Sequence, residues 1–310
     1  MSCTTESRVT RISVERSTRE GEPALMVRPL QIGSVAVIPV NGKPNAVATA
    51  IEAGAYLQER GITVLDESAL NDGAIADLLI VLGGDGSILR SARRYPGMPI
   101  LGVNFGRVGF LAVVERADWR RAIDRVLAGD CIVRDEPTVG VSLIRSDRGE
   151  PQSLGWIMND VVVRTRGPML HTEVYLANKF VNVYPGDGLI VATALGSSAY
   201  NMAAGGPILL DGLAALSLTP ICCHSPLKVS LVVPVTAAID LVIAQGSEGI
   251  LWLDGMETSP LQVGDTVEIR NSSHRVQLVT FSETTYLDAF ASKFEYQIRR
   301  GWRPSRNLPR

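Results

Sequence analysis

Apolar residues fall along the chain in two regimes. Up to about residue 130, short β-branched runs alternate with longer segments of helical spacing. Ser34-Val35-Ala36-Val37-Ile38-Pro39-Val40 predicts a strand. Ala46 to Arg60 sets Val47, Ala50, Ile51, Gly54 and Leu57 on one face and predicts a helix, stopped by Gly61. Ile62 to Leu65 predicts a second strand. Ala76-Asp77-Leu78-Leu79-Ile80-Val81-Leu82 predicts a buried one, which breaks into Gly83-Gly84-Asp85-Gly86-Ser87 before a helix start at Ile88 to Arg94. Pro99 to Asn104 is a further strand, and Arg116 to Leu127 a helix closed by Gly129. Strand and helix alternating in this way predict a parallel sheet with crossover helices.

The second regime runs from Ile132 to roughly Asn271. It reads as short β-segments: Val139 to Ile144, Asp160 to Arg164, Glu173 to Ala177, Lys179 to Val183, Leu231 to Val235, Ile239 to Ile243 and Val267 to Ile269. Turns such as Asp254-Gly255 and Val263-Gly264-Asp265 punctuate them. The fold class expected is therefore an α/β N-terminal domain with a parallel sheet, plus an all-β, sandwich-like C-terminal domain. The expected boundaries are a polar leader at 1–30, the α/β domain at 31–130, the β-rich domain at 131–275, and a C-terminal segment at 276–310. In that last segment Leu287, Phe290, Phe294 and Ile298 keep helical spacing, so it is expected to pack back on the α/β domain.

Composition narrows the function classes. The 310 residues are 46% hydrophobic and 20% charged with a net charge of −2, so no basic excess points to nucleic acid. Val229 to Ala244 is the most apolar stretch, but Pro234 and Asp240 interrupt it, which fits sandwich strands and no membrane span. Cys3, Cys131, Cys222 and Cys223 lack metal-type spacing, and the N-terminus lacks a secretory pattern; a reduced, cytoplasmic setting is expected.

Two glycine-rich segments carry the candidate chemistry. A strand that ends in glycines and enters a helix suits phosphate, because the backbone can approach a ligand and the helix start is partly positive. Asp85 is a carboxylate among groups suited to anions, which fits binding of a hydroxyl, a metal or a proton in transit; the plain alternative is a tight turn with Asp85 as a helix cap. The second segment, Pro185 to Pro207, passes from a strand through Ser197, Ser198 and Tyr200 to Gly205-Gly206-Pro207. Its hydroxyls suit a polar ligand, although either serine taken alone reads first as a helix cap. Asn159-Asp160 precedes a buried strand and offers an amide and a carboxylate to a ribose diol, or to solvent. Phe105 to Leu111, at the end of another strand, can share a crevice with the first box. His171, His224 and His274 form no ligand motif, and no Gly-x-Ser-x-Gly elbow or Walker lysine is present.

Taken in order, the box at 83–87, Gly102 to Leu111, Asn159-Asp160, Asp187 to Pro207 and Thr219-Pro220-Ile221-Cys222 resemble the bacterial NAD kinase family. The resemblance runs from Ser34 toward the C-terminus. It implies phosphoryl transfer from ATP, or polyphosphate, to the adenosine-ribose 2′-hydroxyl of NAD, with Mg2+ or another divalent cation, in a homodimer or homotetramer. On that resemblance Asp85 is the catalytic base. Gly83, Gly84, Gly86, Ser87, Asn159, Asp160, Asp187, Ser198, Ala199 and Tyr200 hold the substrates, and no side chain is assigned to a metal. The chain departs from the family at Leu195, where a hydroxyl residue that can contact the ligand is usual. It departs again at Cys223 and at Val229-Ser230, where a proline and an Arg-Pro pair are usual. Two alternatives follow: an NAD(P)-binding paralogue with weak catalysis, and a kinase with the same box but another acceptor.

Overall fold

The computed structural model describes residues 30–106, 109–147, 149–210 and 212–282. The leader expected at 1–30, apart from Leu30, and the helix expected over Tyr286 to Arg299 lie outside the described residues. In chain order the first part gives β1 (Ser34–Pro39), α1 (Pro44–Gln58), β2 (Thr63–Leu65), α2 (Glu67–Asn71), β3 (Leu78–Gly83), α3 (Asp85–Arg94), β4 (Ile100–Asn104), β5 (Val114–Glu115) and α4 (Trp119–Leu127). Strands β2, β1, β3 and β4 lie side by side in parallel, as the alternation of elements requires. Helix α2 was not legible. It is five residues long, and its start is fixed by Asp66, whose carboxylate accepts from the Ala69 N–H at 2.8 Å.

The second part is built of strands: β6 (Ile132–Ile144), β7 (Pro151–Ile157), β8 (Asp160–Thr165), β9 (Leu170–Leu176), β10 (Lys179–Gly186), β11 (Gly188–Thr193), then helix α5 (Tyr200–Ala203), β12 (Ala215–Ile221), β13 (Leu231–Pro234), β14 (Ile239–Gly246), β15 (Gly249–Leu253), β16 (Met256–Leu261) and β17 (Thr266–Thr280). Strands β13-β12-β11-β8-β15-β16 form one sheet of six. The other sheet has eleven strands and is continuous with the parallel one, through the order β10-β9-β14-β17-β4-β3-β1-β2. The connection is β17. Val267 to Ile269, expected as a short segment, is part of a 15-residue strand. One edge of β17 takes β14 at its start and β4 at Leu278, and the other edge takes β6 along its length. The large sheet is thus mixed rather than purely parallel.

Three apolar clusters divide the interior. Val161 and Val163 of β8, with Leu189 and Val191 of β11, face the large sheet and fill the space between the two sheets. Leu78, Ile80 and Leu82 face α1 and α4. Leu79 and Val81 face α3, where Ile88, Leu89 and Ala92 also meet Met158 and Leu195 from the second part. This third cluster seats α3 against the strand-rich half and places the two glycine-rich segments close together.

Candidate active site

Gly83 closes β3 and Gly84, in extended conformation, caps α3, so Asp85 enters the first turn of the helix. Chain atoms clasp its carboxylate: Oδ2 accepts from the Phe110 N–H at 2.8 Å, and Oδ1 from Leu111 at 3.0 Å and Ala112 at 3.3 Å. Three backbone donors fix a carboxylate more firmly than one side chain would. The fit requires glycine at 109, because a Cβ there would overlap the Asp85 carboxylate. The stretch Phe105 to Ala112 is therefore joined to the Gly-Gly-Asp-Gly-Ser box, as its place at a strand end suggested. Gly86 is exposed, and the buried Ser87 hydroxyl accepts from Arg90 at 3.2 Å. Ser87, Arg90, Ser91 and Arg94 share one face of α3 and line a cavity of about 320 Å³ with Asn41 and Glu67. Lys43, beyond β1, donates to the Phe105 carbonyl at 2.5 Å.

Leu89, one turn beyond Asp85, lines a second cavity of about 410 Å³, together with Asn159, Asp160, Ala199, Tyr200, Trp252 and Asp254. The structure brings four expected binding residues into this one space. Asn159 and Asp160 form the turn into β8. Neither side chain has a hydrogen bond among the described residues, while the turn's backbone is fully engaged. Asp254, at the β15–β16 turn, accepts from Met158 N–H at 3.1 Å, Asn159 N–H at 2.7 Å and Asp160 N–H at 3.2 Å. From the other side, Thr193 donates through its hydroxyl to Met158 C=O at 2.6 Å and through its N–H to Asn159 C=O at 2.9 Å. Gly196 lies so close that a Cβ would overlap the Asn159 backbone. Burial first, and then the neighbouring negative charge of Asp254, push the Asp160 carboxyl up from 3.8 to about 7. Burial also raises Asp254, against the pull of its three N–H donors and Arg93.

Ser198 sits in a tight 3-10 turn and donates to the Leu195 carbonyl at 3.2 Å. Asp187 stands at the opposite end of β11 from this turn. Asp160 pairs with Ala192, and Arg164 with Gly188, so four residues of strand rise put about 13 Å between the two ends. Arg164 lines the far end of the second cavity, and there the Asp187 carboxylate takes the Cys222 thiol's hydrogen bond, which raises that thiol. Leu195 was expected at a ligand-contacting position. It is instead 6% exposed and packs with Met158 and Leu89. The 3-10 turn directs it into the core. Sequence reasoning took Asp254-Gly255 only as a turn, and passed over Trp252, whose buried indole N–H has no partner among the described residues.

Known proteins share the domains and the fold of this chain. Residues 71–131 match the ATP-NAD kinase N-terminal domain and residues 158–281 the ATP-NAD kinase C-terminal domain. The chain is 43% identical over 272 residues to the NAD kinase of Thermomicrobium roseum, covering 87% of this chain and 94% of that one. It is 38% identical over 225 residues to the NAD kinase of Heliobacterium modesticaldum, with coverage of 71% and 78%. Its fold is similar to that of yeast NADH kinase complexed with NADH, with a TM-score of 0.78 at 20% identity, covering 89% of this chain and 90% of that one. An NAD kinase from Archaeoglobus fulgidus in complex with ATP has a TM-score of 0.67 at 22% identity, with coverage of 84% and 98%. With both domains matched in order, and with relatives well above 30% identity over most of its length, the chain belongs to the NAD kinase family.

Proposed function

We propose that this kinase transfers the terminal phosphoryl group of ATP to the adenosine-ribose 2′-hydroxyl of NAD, giving NADP. One observation carries the reading. Helix α3 presents Asp85 at its start and, one turn on, forms the wall of a cavity in which Asn159 and Asp160 keep unpartnered polar side chains. An amide and a carboxyl side by side suit two adjacent hydroxyls of a ribose. The cavity runs from Asp160 to Arg164, beside Asp187, and a dinucleotide has that reach. Ala199 and Tyr200 supply its wall. Asp85, held in place by its three N–H donors, takes the proton of the attacking hydroxyl through the free lone pair of Oδ2. The new O–P bond forms as the bond to the leaving diphosphate breaks. Such transfer depends on placement and charge neutralisation more than on covalent chemistry.

Gly83, Gly84, Gly86 and Ser87 give the donor's phosphates a helix start, and the Arg90 face of α3 adds cationic charge. ATP is the donor the family favours, and polyphosphate offers the same phosphate chain. Magnesium fits as an ion carried on those phosphates, which it neutralises. No three His, Cys, Asp or Glu side chains cluster among the described residues, and magnesium needs only one or two protein oxygens beside phosphate and water. The domain limits near 30, 130 and 275 are kept as a proposal; the large sheet crosses the second and β17 runs across the third. A homodimer or homotetramer is supported by the exposed Val229 and Val232 at β13, the edge strand of the six-stranded sheet. The free Cys131, Cys222 and Cys223 support a reducing, cytoplasmic setting, and no helix among the described residues is long and apolar enough to cross a membrane.

Purified protein with NAD, magnesium and either ATP or polyphosphate, assayed for NADP, tests the reading. Asp85→Asn should lower kcat by about 10²–10⁴-fold, the usual contribution of a general base. NAD binding without turnover would select the weak paralogue, and no NAD binding would overturn the acceptor assignment.

A further inference from the structure

The side chains of Asn159 and Asp160 can meet a ligand only because the turn that carries them is shaped by something else. That shape comes mainly from one carboxylate. The Asp254 side chain is 1% exposed and takes three successive backbone N–H groups, those of Met158, Asn159 and Asp160. It returns its own N–H to the Asp160 carbonyl at 2.9 Å, from a backbone with φ of 50°, a region a non-glycine residue rarely adopts. A carboxylate buried this deeply calls for a counter-charge. Among the described residues the cation facing it is Arg93, whose buried Nη1 lies 3.9 Å from Asp254 and makes no hydrogen bond with them. Arg93 belongs to α3, two turns beyond Asp85, so one helix carries both the catalytic carboxylate and the cation facing Asp254.

We propose that Asp254, backed by Arg93, is a positioning residue that shapes the Asn159–Asp160 turn for the dinucleotide and ties that turn to the helix bearing Asp85. The proposal rests on the acceptor assignment above. Its chemical content is specific. The N–H groups that Asp254 holds are those of the ligand-binding residues themselves, so losing its charge should loosen acceptor binding and leave donor binding intact. A carboxylate-to-amide change keeps the volume but puts an N–H donor where two oxygens had accepted.

Steady-state kinetics of Asp254→Asn, Arg93→Gln and the double variant, with NAD and ATP varied in turn, test this. Wild-type NADP formation checks the functional reading, and the variants are then compared with wild type. Asp254→Asn should raise KM for NAD roughly 10–100-fold, as removal of a group that orients ligating residues does elsewhere, with KM for ATP little changed. It should also move the limb of the pH profile of kcat/KM for NAD that reports Asp160 to lower pH, because the charge opposing ionisation of Asp160 is gone. Arg93→Gln should raise KM for NAD by a smaller factor, and the double variant should be no worse than Asp254→Asn alone. Variants that melt earlier but keep the wild-type KM for NAD and pH limb would overturn the proposal and leave Asp254 a purely structural cap. If Asp254→Asn fails to fold, Arg93→Gln decides: an unchanged KM for NAD refutes the link to α3, and a raised one supports it.

Discussion

Replacing Asp160 with asparagine should make the protein more stable, and only at neutral and alkaline pH. Asp160 is 4% exposed, and its carboxyl is raised from 3.8 to about 7 by burial and by the charge of Asp254. A carboxyl that ionises later in the folded protein than in the unfolded chain costs stability wherever the unfolded chain has already lost the proton. The cost is absent below about pH 4, grows as pH rises, and is complete above about pH 7. At about 1.36 kcal/mol per pH unit, a rise from 3.8 to about 7 caps it at about 4 kcal/mol. Asp254 shares the titration, so that cap belongs to the pair and not to Asp160 alone. The amide of Asp160→Asn would keep the volume, carry no charge and offer Asp254 an N–H. The variant should therefore exceed wild type at pH 8 by an amount no larger than that cap, about 4 kcal/mol, and should match wild type at pH 4. Urea unfolding of both proteins from pH 4 to pH 8 measures the difference directly. A gain independent of pH, or none at pH 8, would show that Asp160 does not hold its proton in the folded state. The same variant should bind NAD more weakly by calorimetry, since the site keeps this acid at the expense of stability.

Three further outcomes are expected. Gly109→Ala places a methyl group against the Asp85 carboxylate and should lower kcat at least tenfold with little effect on KM for NAD; kinetics near wild type would mean that the clasp is not catalytically relevant. Leu195→Thr should not improve NAD binding. It removes buried apolar volume packed on Met158 and buries a hydroxyl, so a loss of about 1–3 kcal/mol by denaturant titration is expected, and a lower KM for NAD would contradict the packing. Thr172 lies fully buried in β9 with its hydroxyl unpartnered among the described residues, so the isosteric Thr172→Val should be stabilising by about 1 kcal/mol, and a clear destabilisation would reveal a partner for that hydroxyl.

Much of this architecture was legible because its determinants are local. The run Leu78 to Leu82 is apolar on both faces since α3 covers one and α1 with α4 the other. Asn159-Asp160 stood out as two polar residues before Val161-Val162-Val163. What was hidden depends on partners distant in sequence. Asp254 reads as half of a common Asp-Gly turn, and its role exists only because residues 158–160 lie against it in the fold. Leu195 occupies a motif position that suggests ligand contact, but the direction of its side chain is set by a 3-10 turn that no spacing announces. The length of β17 was missed because Asn271, Ser272, Ser273 and His274 look like a loop, whereas they form a bulged, irregular part of a strand that continues to Thr280.

That strand has a consequence for how the protein is made. β17 belongs to the last part of the described chain to leave the ribosome, yet it lies in the middle of the large sheet. Before it emerges, β14 and the start of β4 each present a bare edge, and β6 has only β7 to pair with. The early α/β half must therefore wait for Thr266–Thr280 before its sheet is closed on that side, and a chain truncated within β17 would carry open, apolar edges fit for pairing with other chains. Synthesis that stalls near residue 265 should yield aggregation rather than a smaller soluble domain. The two halves that meet around the cavity of Leu89 and Asn159 are thus committed to folding together, by the same strand that joins their sheets.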